Sequence, residues 1–176
     1  MNAAAKEVVG PVLVGYDGSD GARGAIASAG RLLGGREAVV LTVWESVGSA
    51  LLRNLPSDAS ELGRDARGIA EDVVDELDAA TAEGAAAMAA EGAALATTAG
   101  FAARSLARRA LARAAERKAV TVWRAILDAA EEEAAALIAL GSRGRSPVTS
   151  MVLGSVSYGV VNNSDRPVLI IPPGRL

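Results

Sequence analysis

The chain has 176 residues, 51% of them hydrophobic, and a formal net charge of −3 at pH 7. That length allows one domain with a full hydrophobic core, and the lack of a basic excess argues against nucleic acid as the main partner. No residue is Cys or His, which excludes disulfides, thiolate nucleophiles, Ser–His–Asp triads and His- or Cys-ligated metals together.

The first pattern is Val8 to Gly15, a near-continuous apolar and β-branched run. Lys6 is followed by Glu7, and the run is short and broken by Pro11, so it reads as a strand buried on both faces rather than as a leader peptide. Tyr16-Asp17-Gly18-Ser19-Asp20 then supplies a turn and a helix cap. A helix from about Ser19 to Leu33 places Ala22, Ile26, Ala29 and Leu33 on one face and stops at Gly34-Gly35. Ala38 to Trp44 is a second buried strand, so the chain opens with a β-α-β unit. Residues 45 to about 60, with Gly48, Asn54, Pro56 and Ser57, have loop composition.

From about Glu61 to Ala99 the sequence is alanine-rich and helix-favouring, interrupted by Gly84 and Gly92. Its first half carries Glu71, Asp72, Asp75, Glu76 and Asp78, the composition of a solvated face. In the stretch Phe101 to Ala119, Arg104, Arg108, Arg109, Arg113 and Arg117 fall opposite Leu106, Ala110, Leu111 and Ala114. That spacing predicts an exposed amphipathic helix, whose arginines could pair with the acidic segment. Val122 to Glu133 reads as a helix with Trp123, Ile126, Leu127 and Ala130 buried, and Ala134 to Leu140 as a strand. A glycine-bordered loop, a helix from about Gly154 to Asn163 and a last strand over Pro167 to Pro172 complete the chain. Alternating strands and helices with two-sided apolar strands predict an α/β fold with a doubly wound open parallel sheet. No stretch approaches the roughly 20 apolar residues of a membrane span, so a soluble, cytoplasmic chain is expected.

The chemistry-bearing segment is Gly141 to Ser155, which begins at the carboxyl end of a strand, where ligands of open α/β sheets bind. Gly141 and Gly144 let backbone N–H groups approach an anion closely. Gly154-Ser155 opens the next helix, whose free amides and positive dipole end favour phosphate, with the Ser155 hydroxyl as a further donor. Arg143 could neutralise phosphate charge. No Gly-x4-Gly-Lys-Ser/Thr loop and no Gly-x-Gly-x-x-Gly after the first strand occur, excluding a Walker-type site and arguing against a dinucleotide site. A purely structural turn remains open on these residues alone.

Gly141, Gly144, Gly154 and Ser155 match without a gap the pattern Gly-x2-Gly-x9-Gly-Ser/Thr of the nucleotide-binding branch of the universal stress proteins. Val156 to Ile171 resembles that family's last helix and strand, and Val12 to Ser19 its first strand and turn. The resemblance implies five strands in the order 3-2-1-4-5 and ATP as ligand, with Mg2+ held through the phosphates and no protein metal site. It further implies that Asp17 accepts hydrogen bonds from the ribose, that Val43 meets the adenine through its backbone, and that Val156 offers an N–H to the phosphates. A homodimer through the C-terminal strand, Pro167 to Ile171, is implied as well, with an unknown downstream protein as further partner. The middle departs from the pattern: either Gly100 to Leu106 is the family's edge strand followed by an insert, or that strand is lost to a helical insert around residues 101–120.

The leading expectation is an ATP-binding stress-response protein that acts as a nucleotide-dependent sensor or adaptor. With no His, Cys or Walker lysine, and no Asp or Glu between residues 142 and 153, nothing evident activates a water efficiently, so at most weak hydrolysis is expected. The alternatives are a slow ATPase or nucleotidyl-transfer enzyme, and a nucleotide-free dimerisation module.

Overall fold

The structure is a computed structural model that describes residues 9–46, 64–111, 118–144 and 153–172. They form, in order, β1 (Val12–Gly15), α1 (Asp20–Leu33), β2 (Glu37–Glu45), α2 (Arg64–Thr98), β3 (Ala102–Ala110), α3 (Lys118–Glu132), β4 (Leu137–Gly141), α4 (Ser155–Asn163) and β5 (Val168–Ile171). The strands make one parallel sheet of order β3-β2-β1-β4-β5, as expected.

Alternation along the strands feeds two cores. Val12, Val14, Ala38, Val40 and Ala139 point to one face and pack with Ala22, Ile26 and Ala29 of α1 and Ala93 and Ala96 of α2. Leu13, Val39, Leu41, Ile138 and Leu140 point to the other face, under Ile126, Ala129 and Ala130 of α3 and Val160 of α4. This two-sided burial is why the strands read as unbroken apolar runs. The carboxyl half of the 35-residue helix α2 packs on the sheet through the buried Ala85, Ala89, Ala93 and Ala96. Among the described residues no helix is long and apolar enough to cross a membrane.

Three sequence expectations are corrected. The first strand begins at Val12 rather than Val8, and Val9 is exposed. Pro11 offers no N–H for a ladder but its carbonyl accepts from Ala136 N–H at 2.9 Å. The strand expected over Ala134 to Leu140 covers Leu137–Gly141, because Ala134 forms the left-handed turn that ends α3.

The largest correction concerns residues 101–120, where local spacing predicted a helix while the family resemblance left open an edge strand over Gly100 to Leu106 followed by an insert. Ala102–Ala110 is a strand, registered along β2 from Glu37↔Ala102 to Glu45↔Ala110. Gly100, at φ 99, makes the sharp turn out of α2 that lets the strand start at once. The arginine spacing was ambiguous, since residues four apart share a face in a strand as well as in a helix. Arg104 pairs with Glu133 and Arg108 with Glu132 on the α3 side. Arg109, on the α2 side, pairs with Asp78 at 3.2 Å and lies over the Trp44 ring at 5.7 Å. Pairing with β2 and these partners outweigh the helix propensity of Ala, Leu and Arg. The anticipated pairing with the acidic segment holds for Arg109 alone among the three. Arg113 and Arg117, and with them the rest of the expected insert up to residue 117, lie outside the described residues.

Candidate functional site

The chain leaves β1 toward β2 on one side and later returns to β4 on the other, so a crevice opens between the carboxyl ends of these two neighbours. On the β1 side lies the turn Tyr16-Asp17-Gly18-Ser19. Gly18 has φ 76, the left-handed conformation the turn needs. Asp17 Oδ1 accepts from Ser19 N–H at 3.0 Å, and Ser19 Oγ accepts from Ala22 N–H at 3.2 Å, so the turn hands over to a capped α1.

On the β4 side, Ser142 N–H donates to the Ile171 carbonyl at 2.8 Å and the Ser142 carbonyl accepts from Gly154 N–H at 2.7 Å, closing the base of the glycine-bordered loop. Ser157 Oγ donates to the Gly141 carbonyl at 2.8 Å, tying α4 to the strand end. Turn and loop touch backbone to backbone. A Cβ on Gly141 would stand 3.0 Å from the Gly21 carbonyl oxygen, one on Gly21 2.8 Å from that of Arg143, and one on Gly144 2.8 Å from Asp17 Oδ2. A side chain at Gly21 would press on the backbone, one at Gly141 or Gly144 would make the Gly21 carbonyl or the Asp17 carboxylate shift, and the Asp17 carboxylate lies against the loop.

Helix α4 starts on Gly154, which has no side chain to cap it. Its first helical bond runs from Tyr158 N–H to the Gly154 carbonyl at 2.8 Å, so the amides of Ser155, Val156 and Ser157 precede the helical ladder. The Val156 side chain packs on the core and leaves only its backbone to the crevice, whereas Ser155 is exposed. Beside them, Ser142 is 5% exposed, and its Oγ and the Arg143 Nε are both buried without a hydrogen-bond partner among the described residues. Such orphaned groups cost about 1–3 kcal/mol each unless something meets them.

The structure thus brings Asp17, Gly141, Arg143, Gly144 and Gly154 into one cluster, with Ser155 and Val156 on the adjoining helical turn. Val43 stands at the end of β2, its side chain in the core. The β2 end is tied to the turn by Thr42 Oγ1, which donates to the Tyr16 carbonyl at 3.0 Å. Residues 145–152, the middle of the loop, lie outside the described residues. Sequence reading missed Ser142 and Gly21. A glycine inside the first turn of a helix, where it costs stability, was the available signal for Gly21; for Ser142, a polar residue directly after a buried strand gave only a weak one. Two surface grooves lie elsewhere, about 530 Å³ at the amino edge beside Pro11, Glu37 and Phe101, and about 460 Å³ between α1 and α2 beside Ile26 and Leu95. Among the described residues no three His, Cys, Asp or Glu side chains group to hold a metal ion.

Comparison with known proteins agrees with the fold. Of the solved structures, the protein designated MJ0577 is similar over 95% of this chain and 98% of its own, at 20% identity and a TM-score of 0.69. A universal stress protein solved in complex with cAMP shares 20% identity over 94% of this chain and 98% of its own, with a TM-score of 0.55. The universal stress protein of Archaeoglobus fulgidus in complex with dAMP shares 18% identity over 93% and 98%, with a TM-score of 0.54. No match to a curated protein was found. The profile of the Universal stress protein family covers residues 9–172, and the chain belongs to that family.

Proposed function

We propose that the protein binds ATP by its phosphates in the crevice between β1 and β4 and works as a nucleotide-responsive sensor or adaptor in the cytoplasm, with residues 1–176 acting as one α/β unit. The observation that carries this reading is the pair of orphaned buried groups, Ser142 Oγ and Arg143 Nε, beside a glycine-lined approach and an uncapped helix start. A chain that buries polar atoms without partners destabilises itself unless a ligand supplies them. Polyphosphate does so, because it presents many acceptors and its charge suits the positive end of α4.

In this reading the backbone amides around Gly141, Gly144 and Gly154, the Ser155 hydroxyl and the Val156 N–H hold the phosphates, and Arg143 offsets their charge. Asp17 has one carboxylate oxygen engaged by Ser19 and the other against Gly144, which suits it to accept from a ribose. The Val43 backbone meets the adenine. Mg2+ would be held through the phosphates. Family relatives crystallised with cAMP and dAMP support an adenine nucleotide as the class of ligand. A homodimer through Pro167 to Ile171 is supported by the position of β5 at the edge of the sheet, where among the described residues it pairs only with β4.

Titration calorimetry of ATP into the wild type, Gly144→Val and Ser155→Ala tests the reading, with mass spectrometry of any copurifying nucleotide to name the species. Valine at 144 drives a branched side chain into Asp17 and is expected to weaken ATP binding at least about tenfold, or about 1.4 kcal/mol. Loss of the Ser155 hydroxyl is expected to cost about 0.5–1.5 kcal/mol. No heat with the wild type would eliminate ATP binding and leave the dimerisation module.

A further inference from the structure

Tyr16 stands where β1 gives way to the turn that carries Asp17, and it is held from several sides. Its backbone N–H donates to the Leu41 carbonyl at 2.8 Å, and its own carbonyl accepts from Thr42 Oγ1 at 3.0 Å, so β2 fixes its main chain. Its ring lies on α2 at Gly92, where a Cβ would stand 2.7 Å from ring Cδ1 and 2.8 Å from Val40 Cγ1. Its hydroxyl, in a residue only 3% exposed, donates to Glu91 Oε1 at 2.7 Å. The same carboxylate oxygen pairs with Arg23 of α1. Arg23 in turn lies 5.9 Å from the Tyr16 ring centroid, and its Nη2 donates to the Gly18 carbonyl at 3.4 Å. One acidic side chain on α2 thus touches both residues that flank and bridge the turn.

An ion pair as exposed as Arg23–Glu91 contributes little stability by itself. The buried Tyr16 hydroxyl changes the balance, because without Glu91 it loses its acceptor. Burial first, and then the bond to Glu91, push that hydroxyl up to about 12, so it remains a donor at neutral pH. The bonds from Tyr16 and then Arg23 hold the Glu91 carboxyl below the ordinary carboxylate range.

We propose that Glu91 is a positioning residue for the nucleotide: by holding Tyr16 and Arg23 together it sets the orientation in which the turn presents the Asp17 carboxylate to the ribose. The inference rests on the nucleotide reading above and adds to it a link from α2 to the sugar. The phosphate-facing groups come from the loop after β4 and from α4, and Glu91 has no bond to them among the described residues. A loosened turn should therefore weaken ligands that carry a ribose and spare a bare polyphosphate.

The test uses the full chain, with ATP and inorganic tripolyphosphate as probes. Glu91→Ala is expected to weaken ATP about tenfold while tripolyphosphate changes less than about twofold, and Glu91→Gln, which still offers an acceptor to Tyr16, to recover part of the loss. An equal fall for both ligands would make Glu91 a general staple and overturn the inference. Hydrogen exchange in the ligand-free protein supplies a readout independent of nucleotide. The Ser19 amide, which donates to Asp17, should exchange at least roughly fivefold faster in Glu91→Ala, while the Ile138 amide in β4 keeps its rate. Unchanged Ser19 exchange would overturn the inference even if ATP binds, whereas a wild type that binds neither ligand would sink the nucleotide reading and leave the exchange result to decide the role of Glu91. If Glu91→Ala fails to fold, Tyr16→Phe keeps the ring against Gly92, removes the same hydrogen bond, and is read by the same criteria.

Discussion

Two helices start at the carboxyl edge of the sheet and treat their first amides in opposite ways. Helix α1 is closed by its own chain: Ser19 caps it, Asp17 engages the Ser19 amide, and Asp20 adds a carboxylate in the first turn. Helix α4 opens on Gly154 with no capping side chain and no acidic residue in its first turn. Gly154 has φ −67 and ψ 155, an extended conformation that any residue adopts. Its neighbours leave room for a Cβ, the nearest atom being the Ser142 carbonyl oxygen at 3.4 Å. Neither backbone strain nor crowding therefore explains the glycine. What it provides is the absence of a side-chain cap among the described residues; under the proposed function this leaves the first amides of α4 to an external anion, while the carboxylates at α1 disfavour a polyphosphate there.

The strongest way to break this contrast is to give α4 the cap that α1 has. Gly154→Asp should weaken ATP binding by about 100-fold, some 2.7 kcal/mol, because the new carboxylate occupies the amides and repels phosphate. The same change should raise unfolding stability by about 0.3 kcal/mol, read as a slightly higher urea midpoint. Unchanged ATP binding would mean that the anion does not sit at α4. The converse change, Ser19→Ala, should cost about 1 kcal/mol of stability and alter ATP affinity by less than about threefold; a binding loss as large as that of Gly154→Asp would erase the distinction between the two helix starts. Ser142→Ala sharpens the point on the loop side. Removing a buried hydroxyl that has no partner should stabilise the ligand-free protein by up to about 1 kcal/mol and reduce the thermal shift that ATP produces. The smallest effect belongs to Gly84→Ala on α2, far from either start. No atom lies within 4 Å of a Cβ there, so a gain of about 0.5–1 kcal/mol with ATP affinity unchanged is expected from helix propensity alone.

Much of the fold was legible in the residues because its signals are local. Val12 to Val14, Val39 to Leu41 and Ile138 to Leu140 are buried on both faces, and such strands show as continuous apolar runs whatever lies around them. The spacing of Gly141, Gly144 and Gly154 likewise marks the loop, with close approach at Gly141 and Gly144. Ser142 was less visible, since nothing local distinguishes a serine that will be buried without a partner from one that will face water.

By itself the sequence determined the parallel α/β character, the β1–α1–β2 beginning and the location of the glycine-bordered loop, since each depends on periodicity or on backbone freedom within a few residues. Only the tertiary structure decided that Ala102–Ala110 is a strand, because its arginines find Glu133, Glu132 and Asp78 on elements that local spacing does not encode. Only it placed Glu91 on Tyr16, 75 residues away along the chain. A contact of that kind comes from strand order and helix packing, which act after the local pattern has made its choice.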